Sequence, residues 1–183
     1  MGKKSHKAPV NIADDIIKKR FNDFIATAKM AKKPTLTLID QGHRWLGFVA
    51  DTRGDTPFYY VFGTDAPDDP RKNQQQGFEC LMWIRYASSG QINETNALYG
   101  GFPMQRHTPD ASGALVCWMM ERMGQRMIVE PKRSINDLLE DCFKEWRTVT
   151  LNREDLQKEF VQDLRAKMRA RVEDQRKAEA CSP

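Results

Sequence analysis

The sequence predicts an α+β fold: a three- or four-stranded antiparallel meander flanked by about five helices, with long N- and C-terminal helical arms. Three observations support this. Apolar residues recur every three or four positions near both ends of the chain, they alternate with polar residues between positions 35 and 62, and short turns separate the alternating segments. We divide the chain into a disordered basic tail (1–10), a basic helix (11–33), an α+β core (34–150) and a charged amphipathic helix (151–180).

The first helix is predicted from its apolar spacing and from the residues at its two ends. Asn11 is a suitable N-cap, and Pro34 disfavours the helical conformation at the residue before it. Between them, the residues at helical intervals of four, three and four are Ile17, Phe21, Phe24 and Ala28.

Three short segments that follow have the composition of β-strands: Thr35–Ile39, Arg44–Ala50 and Phe58–Phe62. Because only short turns join them, we expect an antiparallel meander. The second and third segments are apolar on both faces, so either both faces are covered or one is a binding surface. We expect the aromatic residues of the meander to lie in the core rather than to stack on bases; they are Trp45, Phe48, Phe58, Tyr59, Tyr60 and Phe62.

The middle of the chain predicts two more helices and a fourth strand. Residues 74–87 are apolar nearly all round a helix, which is typical of a buried helix. Residues 88–112 look irregular, and long loops of this kind are often functional. A helix over 113–123 should end at Gly124, and 125–130 should form a fourth strand before Pro131.

Two helices are predicted in the last third of the chain. Ser134 and Asp137 resemble a capping box before a strongly amphipathic segment that reaches Trp146. Asn152 and Asp155 then signal a last helix. Its apolar stripe, which we predict to bind a protein partner, consists of Leu156, Phe160, Leu164, Met168 and Val172.

The net charge of +4 is unevenly distributed along the chain. Residues 1–33 carry +6, residues 34–151 carry −3, and residues 152–183 carry +1. A basic segment on a slightly acidic body favours an anionic partner such as nucleic acid. The residues predicted to contact it are Lys3, Lys4, Lys7, Lys18, Lys19, Arg20, Lys29, Lys32 and Lys33.

A second basic run, Arg165, Lys167, Arg169 and Arg171, lies in the last helix. At about 100° per residue, Arg165 and Arg169 share one side of the helix, while Lys167 and Arg171 share nearly the opposite one. One helix cannot present all four to a single row of phosphates, so we interpret the run as a solvated face.

Candidates for catalysis are few. A small enzyme would use His43, Asp51, Arg53 and His107, but any chain of this length offers such sets. The cysteines are Cys80, Cys117, Cys142 and Cys181, and their wide spacing predicts no zinc site. A phosphate-binding glycine loop is also missing from the sequence. We therefore expect no cofactor and no metal, and we favour a protein without catalytic activity.

Our leading interpretation is a non-catalytic binding or regulatory protein whose basic N-terminal segment contacts DNA, RNA or another polyanion. One alternative is a protein-interaction module, an inhibitor or assembly factor, or a homo-oligomer. It would act through the last helix and the helix that contains Met119, Met120 and Met123. The other alternative is the small enzyme. No apolar run approaches the roughly 18–20 residues of a bilayer span, and the first residues lack a signal-peptide core. We expect a cytoplasmic protein that does not contact membranes.

Overall fold

The computed structural model describes residues 12–41 and 44–180, with side chains from Ile16 onward. The predicted tail (1–10) therefore lies outside the described residues. Within them the fold is α+β, as predicted, with five α-helices and one four-stranded sheet. The elements in chain order are α1 (Ile12–Ala31), β1 (Thr35–Asp40), β2 (Trp45–Asp51), β3 (Phe58–Gly63), α2 (Pro70–Ala87), β4 (Ala97–Gly101), α3 (Ser112–Val129), α4 (Ile135–Thr150) and α5 (Glu154–Ala180).

The sheet has the strand order β1-β2-β3-β4. The first three strands form the predicted antiparallel meander, in which Val49 lies opposite both Leu36 and Tyr60. β4 differs, because it pairs with β3 in parallel, with Tyr60 opposite Leu98. The sheet is therefore mixed rather than wholly antiparallel. The physical reason is the connection between the two strands. α2 carries the chain from the end of β3 back to the end of the sheet at which β3 begins, so β4 runs in the same direction as β3.

The predicted fourth strand at 125–130 is wrong, because α3 continues through Gly124 to Val129. Packing and ion pairs hold this last part of the helix. Met123 is fully buried, and the Arg126 guanidinium bonds Glu145 of α4 at 2.7 Å. A helical glycine costs about 1 kcal/mol relative to alanine. The stabilisation from these tertiary contacts exceeds that cost. The fourth strand, β4, instead lies in the 88–112 stretch that we expected to be irregular.

Helices cover both faces of the sheet. α1 and α2 lie against one face, where Phe21, Ile25 and Ile84 pack with Phe48 and Tyr59. α3 lies across the other face, and α4 and α5 pack against α3. The core on this side includes Val49, Phe62, Leu115, Met119, Ile135, Trp146 and Val161. The apolar character of both strand faces is thus explained by burial on both sides.

The two terminal helices differ in how far they are packed. In α1, Phe21, Ile25 and Ala28 are buried, so this helix is part of the core. In α5, Phe160 packs edge-on against Trp118, with 5.3 Å between the ring centroids. Residues 169–180 are exposed throughout. Arg171 still bonds Glu121 of α3, so only the part of α5 after it extends away from the body. Among the helices of the described residues, none is long and apolar enough to cross a membrane.

The prediction that the helix at 74–87 is buried all round is wrong. α2 begins earlier, at Pro70, where the Asp69 side chain caps the amide of Arg71 at 2.9 Å. Its inward side chains belong to Cys80, Ile84 and Ala87, whereas Phe78, Met82 and Tyr86 are exposed. An apolar sequence pattern all round a helix does not require burial all round, because the core closes over only one side of α2.

Candidate nucleic-acid interface

A groove lies at the edge of the sheet where β1 ends and β2 begins, between that edge, the start of α3 and the middle of α5. Its volume is about 840 Å³, within the range of small-molecule sites. We call it the arginine groove; it is lined by Leu38, Arg44, Trp45, Pro109, Asp110, Ser112, Gly113, Ala114, Cys117, Arg165, Met168 and Arg169. The lining therefore combines three arginines, one acidic residue (Asp110), one indole ring and an apolar wall.

Trp45 is held rigidly at the groove wall. The Ser112 hydroxyl oxygen accepts a hydrogen bond from the Trp45 amide at 2.9 Å and donates to the Trp45 carbonyl at 3.3 Å. The ring lies so close to Gly113 that a Cβ added there would be 3.2 Å from Trp45 Cδ1. The indole is nevertheless 39% exposed. The expectation that the aromatic residues of the meander lie in the core is therefore wrong for Trp45, whose ring faces the groove, and for Phe58, which is 36% exposed.

Arg165 and Arg169 lie on the same side of α5 and both line the groove. Arg165 Nη2 donates to the Asp110 carbonyl oxygen at 2.7 Å, and Arg169 Nε donates to the Arg165 carbonyl oxygen at 3.3 Å. Within the described part of the chain, neither guanidinium forms an ion pair with a carboxylate. Neither charge is therefore neutralised by an ion pair, and the acidic residue in the lining is Asp110.

Other arginines of the helical layer are neutralised by carboxylates. Arg171 forms two hydrogen bonds with Glu121 of α3, at 3.0 and 2.9 Å, and these bonds lower the Glu121 pKa. Arg126 pairs with Asp141 and Glu145 of α4. The interpretation of the whole 165–171 run as a solvated face thus needs correction. Its two sides separate as the spacing predicts, but one side lines a groove and the other joins α5 to α3.

Arg44 forms the floor of the groove and is only 8% exposed. Its Nε donates to Gln41 Oε1 at 2.7 Å, and its Nη1 lies 3.7 Å from Asp65 Oδ2. Asp65 follows β3, so this contact joins the β1–β2 connection to the end of the neighbouring strand. Because Arg44 already has a carboxylate partner, the charge available to a ligand comes mainly from Arg165 and Arg169.

None of the described N-terminal basic residues lines this groove. Lys3, Lys4 and Lys7 lie outside the described residues, and α1 lies on the opposite face of the sheet. Lys18 Nζ sits 3.8 Å from the centre of the Tyr86 ring, and Lys29 Nζ donates to Gln91 Oε1 at 3.2 Å. Both thus contact α2 or the loop that follows it. The other described members of the set, Lys19, Arg20, Lys32 and Lys33, are exposed.

The residues predicted for an enzyme are placed as follows. His43 lies outside the described residues. Asp51 and Arg53 form a close pair at the far end of β2 from Trp45, with Arg53 Nε donating to Asp51 Oδ1 at 2.9 Å. Arg53 also donates to the carbonyl oxygens of Pro131 and Arg133. This pair therefore connects the β2–β3 turn to the loop before α4.

His107 is the fourth residue of that set. Its Nδ1 lies 3.7 Å from Glu154 Oε2, at the start of α5. Cys80 is buried, and burial raises its pKa to about 12. It is therefore a protonated thiol at neutral pH. Across residues 12–41 and 44–180, no group of three or more histidine, cysteine or acidic side chains is placed to hold a metal ion.

The predicted partner-binding stripe of α5 is divided by the fold. Phe160 and Leu164 pack against the core of α3 and α4, Met168 lines the groove, and Val172 is half exposed. Leu156 is partly buried at the start of the helix.

The arginine groove was missed in the sequence because its members come from four separate segments. The one local signal was the four-residue spacing of Arg165 and Arg169. The sequence matches no model of a known protein family, and no curated protein matches it.

Proposed function

We propose that the protein is a non-catalytic nucleic-acid-binding protein and that the arginine groove holds an unpaired nucleotide. The observation that carries this proposal is the position of Arg165 and Arg169, without carboxylate partners, beside the rigid and exposed ring of Trp45. Proteins that bind single strands combine a positively charged groove with aromatic rings on which bases stack. A guanidinium fork matches the geometry of phosphate oxygens, which makes these two residues suited to the backbone of the strand.

The N-terminal segment adds a second contribution. Its three tail lysines and the exposed cations of α1 would attract any phosphate chain without regard to sequence. Since α1 lies across the sheet from the groove, we assign to this segment a long-range attraction and to the groove the short-range contact. Binding in the groove would give the protein a regulatory role if it prevents other proteins from binding the same strand. A cytoplasmic location fits the free cysteines Cys80, Cys117 and Cys142.

The test is fluorescence anisotropy with labelled single-stranded DNA, single-stranded RNA and a duplex of the same sequence, titrated at several salt concentrations. We expect single strands to bind more tightly than the duplex. The double variant Arg165→Gln/Arg169→Gln should lose about 10- to 100-fold in affinity at low salt. Its slope of log K against log salt should fall by about 1.4, since each neutralised phosphate of a single strand contributes about 0.7.

The matched control is Lys167→Gln/Lys177→Gln, which removes the same charge from exposed positions of α5 away from the groove. It should change affinity much less. Trp45→Ala should cost about 1–3 kcal/mol of binding free energy, the value of one stacked base. Absence of binding at low salt would reject the proposal, as would a double variant with the affinity and salt slope of the unaltered protein.

A protein-interaction module remains the second candidate, and the exposed end of α5 favours it. Residues 169–180 are all exposed, and Val172 is 50% exposed on that segment. Leu164 is a poor probe because it packs against the core. Val172→Asp is therefore the informative substitution. A stable, salt-insensitive complex with a partner that this substitution abolishes would support the second candidate, and a complex unaffected by it would reject contact through this segment.

A further inference from the structure

Asp110 is the acidic side chain in the lining of the arginine groove. It lies in a single 3-10 turn, Pro109–Ala111, immediately before α3, and it is exposed. Arg165 lies beside it, but the Arg165 Nη2 atom donates to the main-chain carbonyl oxygen of Asp110, at 2.7 Å, and not to the carboxylate. Among the described residues, the carboxylate has no hydrogen-bond or ion-pair partner. It is therefore free to accept hydrogen bonds from a ligand that enters the groove.

A free carboxylate is unfavourable in a groove that contacts only phosphates. The charge of Asp110 repels the same phosphate chain that Arg165 and Arg169 attract. An ionised carboxyl group accepts hydrogen bonds and donates none, so it suits the edge of a base that carries N–H groups. The chemistry of Asp110 thus fits contact with a base rather than with the backbone of the strand.

The other polar groups of the lining already have partners or a role. The Ser112 hydroxyl is hydrogen-bonded to the main chain of Trp45, and the buried Arg44 has a carboxylate partner. The two arginines of α5 face the phosphates in the proposed function. Cys117 offers a thiol, which is only a weak donor and acceptor. Asp110 is therefore the strongly polar side chain that remains to contact the edge of a base stacked on the indole.

The hydrogen-bonding edges of the four bases differ in how well they match a carboxylate. Guanine presents two adjacent donors, N1–H and the 2-amino group, which can bind both oxygens of one carboxylate. Adenine and cytosine each present one amino group beside a ring nitrogen that accepts, and thymine presents one N–H between two carbonyl oxygens. In these three bases an acceptor faces the carboxylate next to the single donor, and two acceptors repel each other. Unpaired bases are commonly recognised through these edges.

We propose that the arginine groove selects guanine and that Asp110 determines this specificity by accepting two hydrogen bonds, from guanine N1–H and from its 2-amino group. The inference rests on the proposed function, in which Arg165 and Arg169 hold the phosphates and Trp45 stacks on the base. It adds the identity of that base.

The experiment is fluorescence anisotropy with short oligothymidine strands in which one central nucleotide carries guanine, hypoxanthine, adenine or cytosine. The guanine strand should bind about 5- to 100-fold more tightly than the adenine and cytosine strands, which is the discrimination that one good bidentate pair gives. Hypoxanthine keeps the N1–H of guanine and lacks the 2-amino group. Its strand should therefore bind with an affinity between those of guanine and adenine.

Asp110→Asn should remove the preference for guanine, because an amide offers one acceptor and one donor group instead of two acceptors. Its affinity for the strand with thymine alone should be unchanged or higher, since a negative charge leaves the groove. A merely structural role of Asp110 predicts something different: the affinities for all strands would fall by the same factor.

The matched control is Asp137→Asn. Both Asp110 and Asp137 lie in the first turn of a helical segment, where a negative charge stabilises the helix, but Asp137 belongs to α4 and does not line the groove. Asp137→Asn removes the same charge and should keep the full preference for guanine. Thermal unfolding shows whether each variant is folded. Asp110→Ser replaces Asp110→Asn if the latter is unfolded, with the same loss of preference expected.

The outcomes separate this inference from the proposed function. Equal affinities for the guanine, adenine and cytosine strands would overturn the inference. The proposed function would still stand if Arg165→Gln/Arg169→Gln weakened the binding of all of them. A preference for guanine that persists in Asp110→Asn would likewise overturn the role of this residue. Absence of binding to every strand at low salt would reject both proposals.

Discussion

The hydroxyl of Ser112 is hydrogen-bonded to both the amide and the carbonyl of Trp45, at 2.9 and 3.3 Å. These two residues are the first of α3 and the first of β2, so this pair of bonds joins the helix to the sheet. These bonds also place Gly113, the second residue of α3, directly beside the indole ring. The position of the ring at the arginine groove therefore depends on where α3 begins.

Ser112→Ala should lower both stability and affinity. The substitution leaves the Trp45 amide without its partner at a partly buried position, which costs about 1 kcal/mol of the free energy of unfolding. Urea denaturation measures this loss, and the strand-binding titration shows whether a less rigid Trp45 binds more weakly. Thr27→Ala, which removes an exposed helical hydroxyl bond to Asp23, is the control and should cost less than about 0.5 kcal/mol. An unchanged stability of Ser112→Ala would show that the bond is not made.

Two glycine substitutions should change stability in opposite directions. A Cβ at Gly47 would lie 2.1 Å from the Phe62 ring, which is itself fully buried. Gly47→Ala should therefore destabilise by about 1–3 kcal/mol or more through overpacking. A Cβ at Gly124 meets nothing within 4 Å.

Because α3 continues through that position, Gly124→Ala should stabilise by about 0.5–1 kcal/mol. Thermal and urea unfolding of Gly47→Ala and Gly124→Ala measure these two opposite changes in stability. A destabilised Gly124→Ala would argue that α3 ends there after all.

Asp51→Asn should reduce stability at neutral pH and alter its dependence on acid. Burial raises the Asp51 pKa, but the hydrogen bonds and charge of Arg53 outweigh this and lower it below its ordinary value. A carboxylate with a lowered folded-state pKa stabilises the fold above its unfolded pKa of about 3.9, and that contribution disappears as the pH falls through the folded value.

The difference in the free energy of unfolding between the unaltered protein and Asp51→Asn should thus be about 1–2 kcal/mol at pH 7. It should shrink below about pH 4. Urea titrations between pH 3 and pH 7 measure it. A difference that stays constant over this range would contradict the ionic part of the argument.

Truncation should distinguish the tail from the first helix. Removal of residues 1–11 takes away three lysines and no described core residue, so the shortened chain should stay folded and bind strands with a smaller salt slope. Removal of residues 1–33 also deletes Phe21, Ile25 and Ala28, which are buried against the sheet. Circular dichroism and urea unfolding should then show loss of cooperative unfolding. A stable chain without residues 1–33 would contradict the assignment of α1 to the core.

Elements with local signals were predictable from the sequence. α4 is the clearest case: Ser134 caps the amide of Asp137 at 3.1 Å, and Leu138, Cys142 and Trp146 are buried along one side of the helix. Cap residues and a periodic apolar side act within a few positions of each other, so they need no knowledge of the rest of the fold. The meander β1–β3 followed for the same reason, since alternation and short turns are local.

Elements whose state depends on distant neighbours were not predictable. Ala97–Gly101 contains two glycines and little alternation, yet it forms β4 because β3 lies beside it. The sequence after Gly124 favours a strand, but this segment forms the end of α3, where Arg126 pairs with Asp141 and Glu145 of α4. In both cases contacts between residues far apart in sequence outweigh the local preference.

What the sequence by itself determined is the α+β class, the meander, the two terminal helices, the uneven charge and the opposite sides taken by Arg165 and Arg171. Tertiary structure alone decided which of those sides lines the groove that also contains Trp45 and which side bonds Glu121. It also decided that the apolar outer side of α2 is exposed. Spacing along a helix sets the direction of each side chain relative to its neighbours, whereas the surface that each side faces depends on how α5 crosses α3 and how the sheet closes against α2.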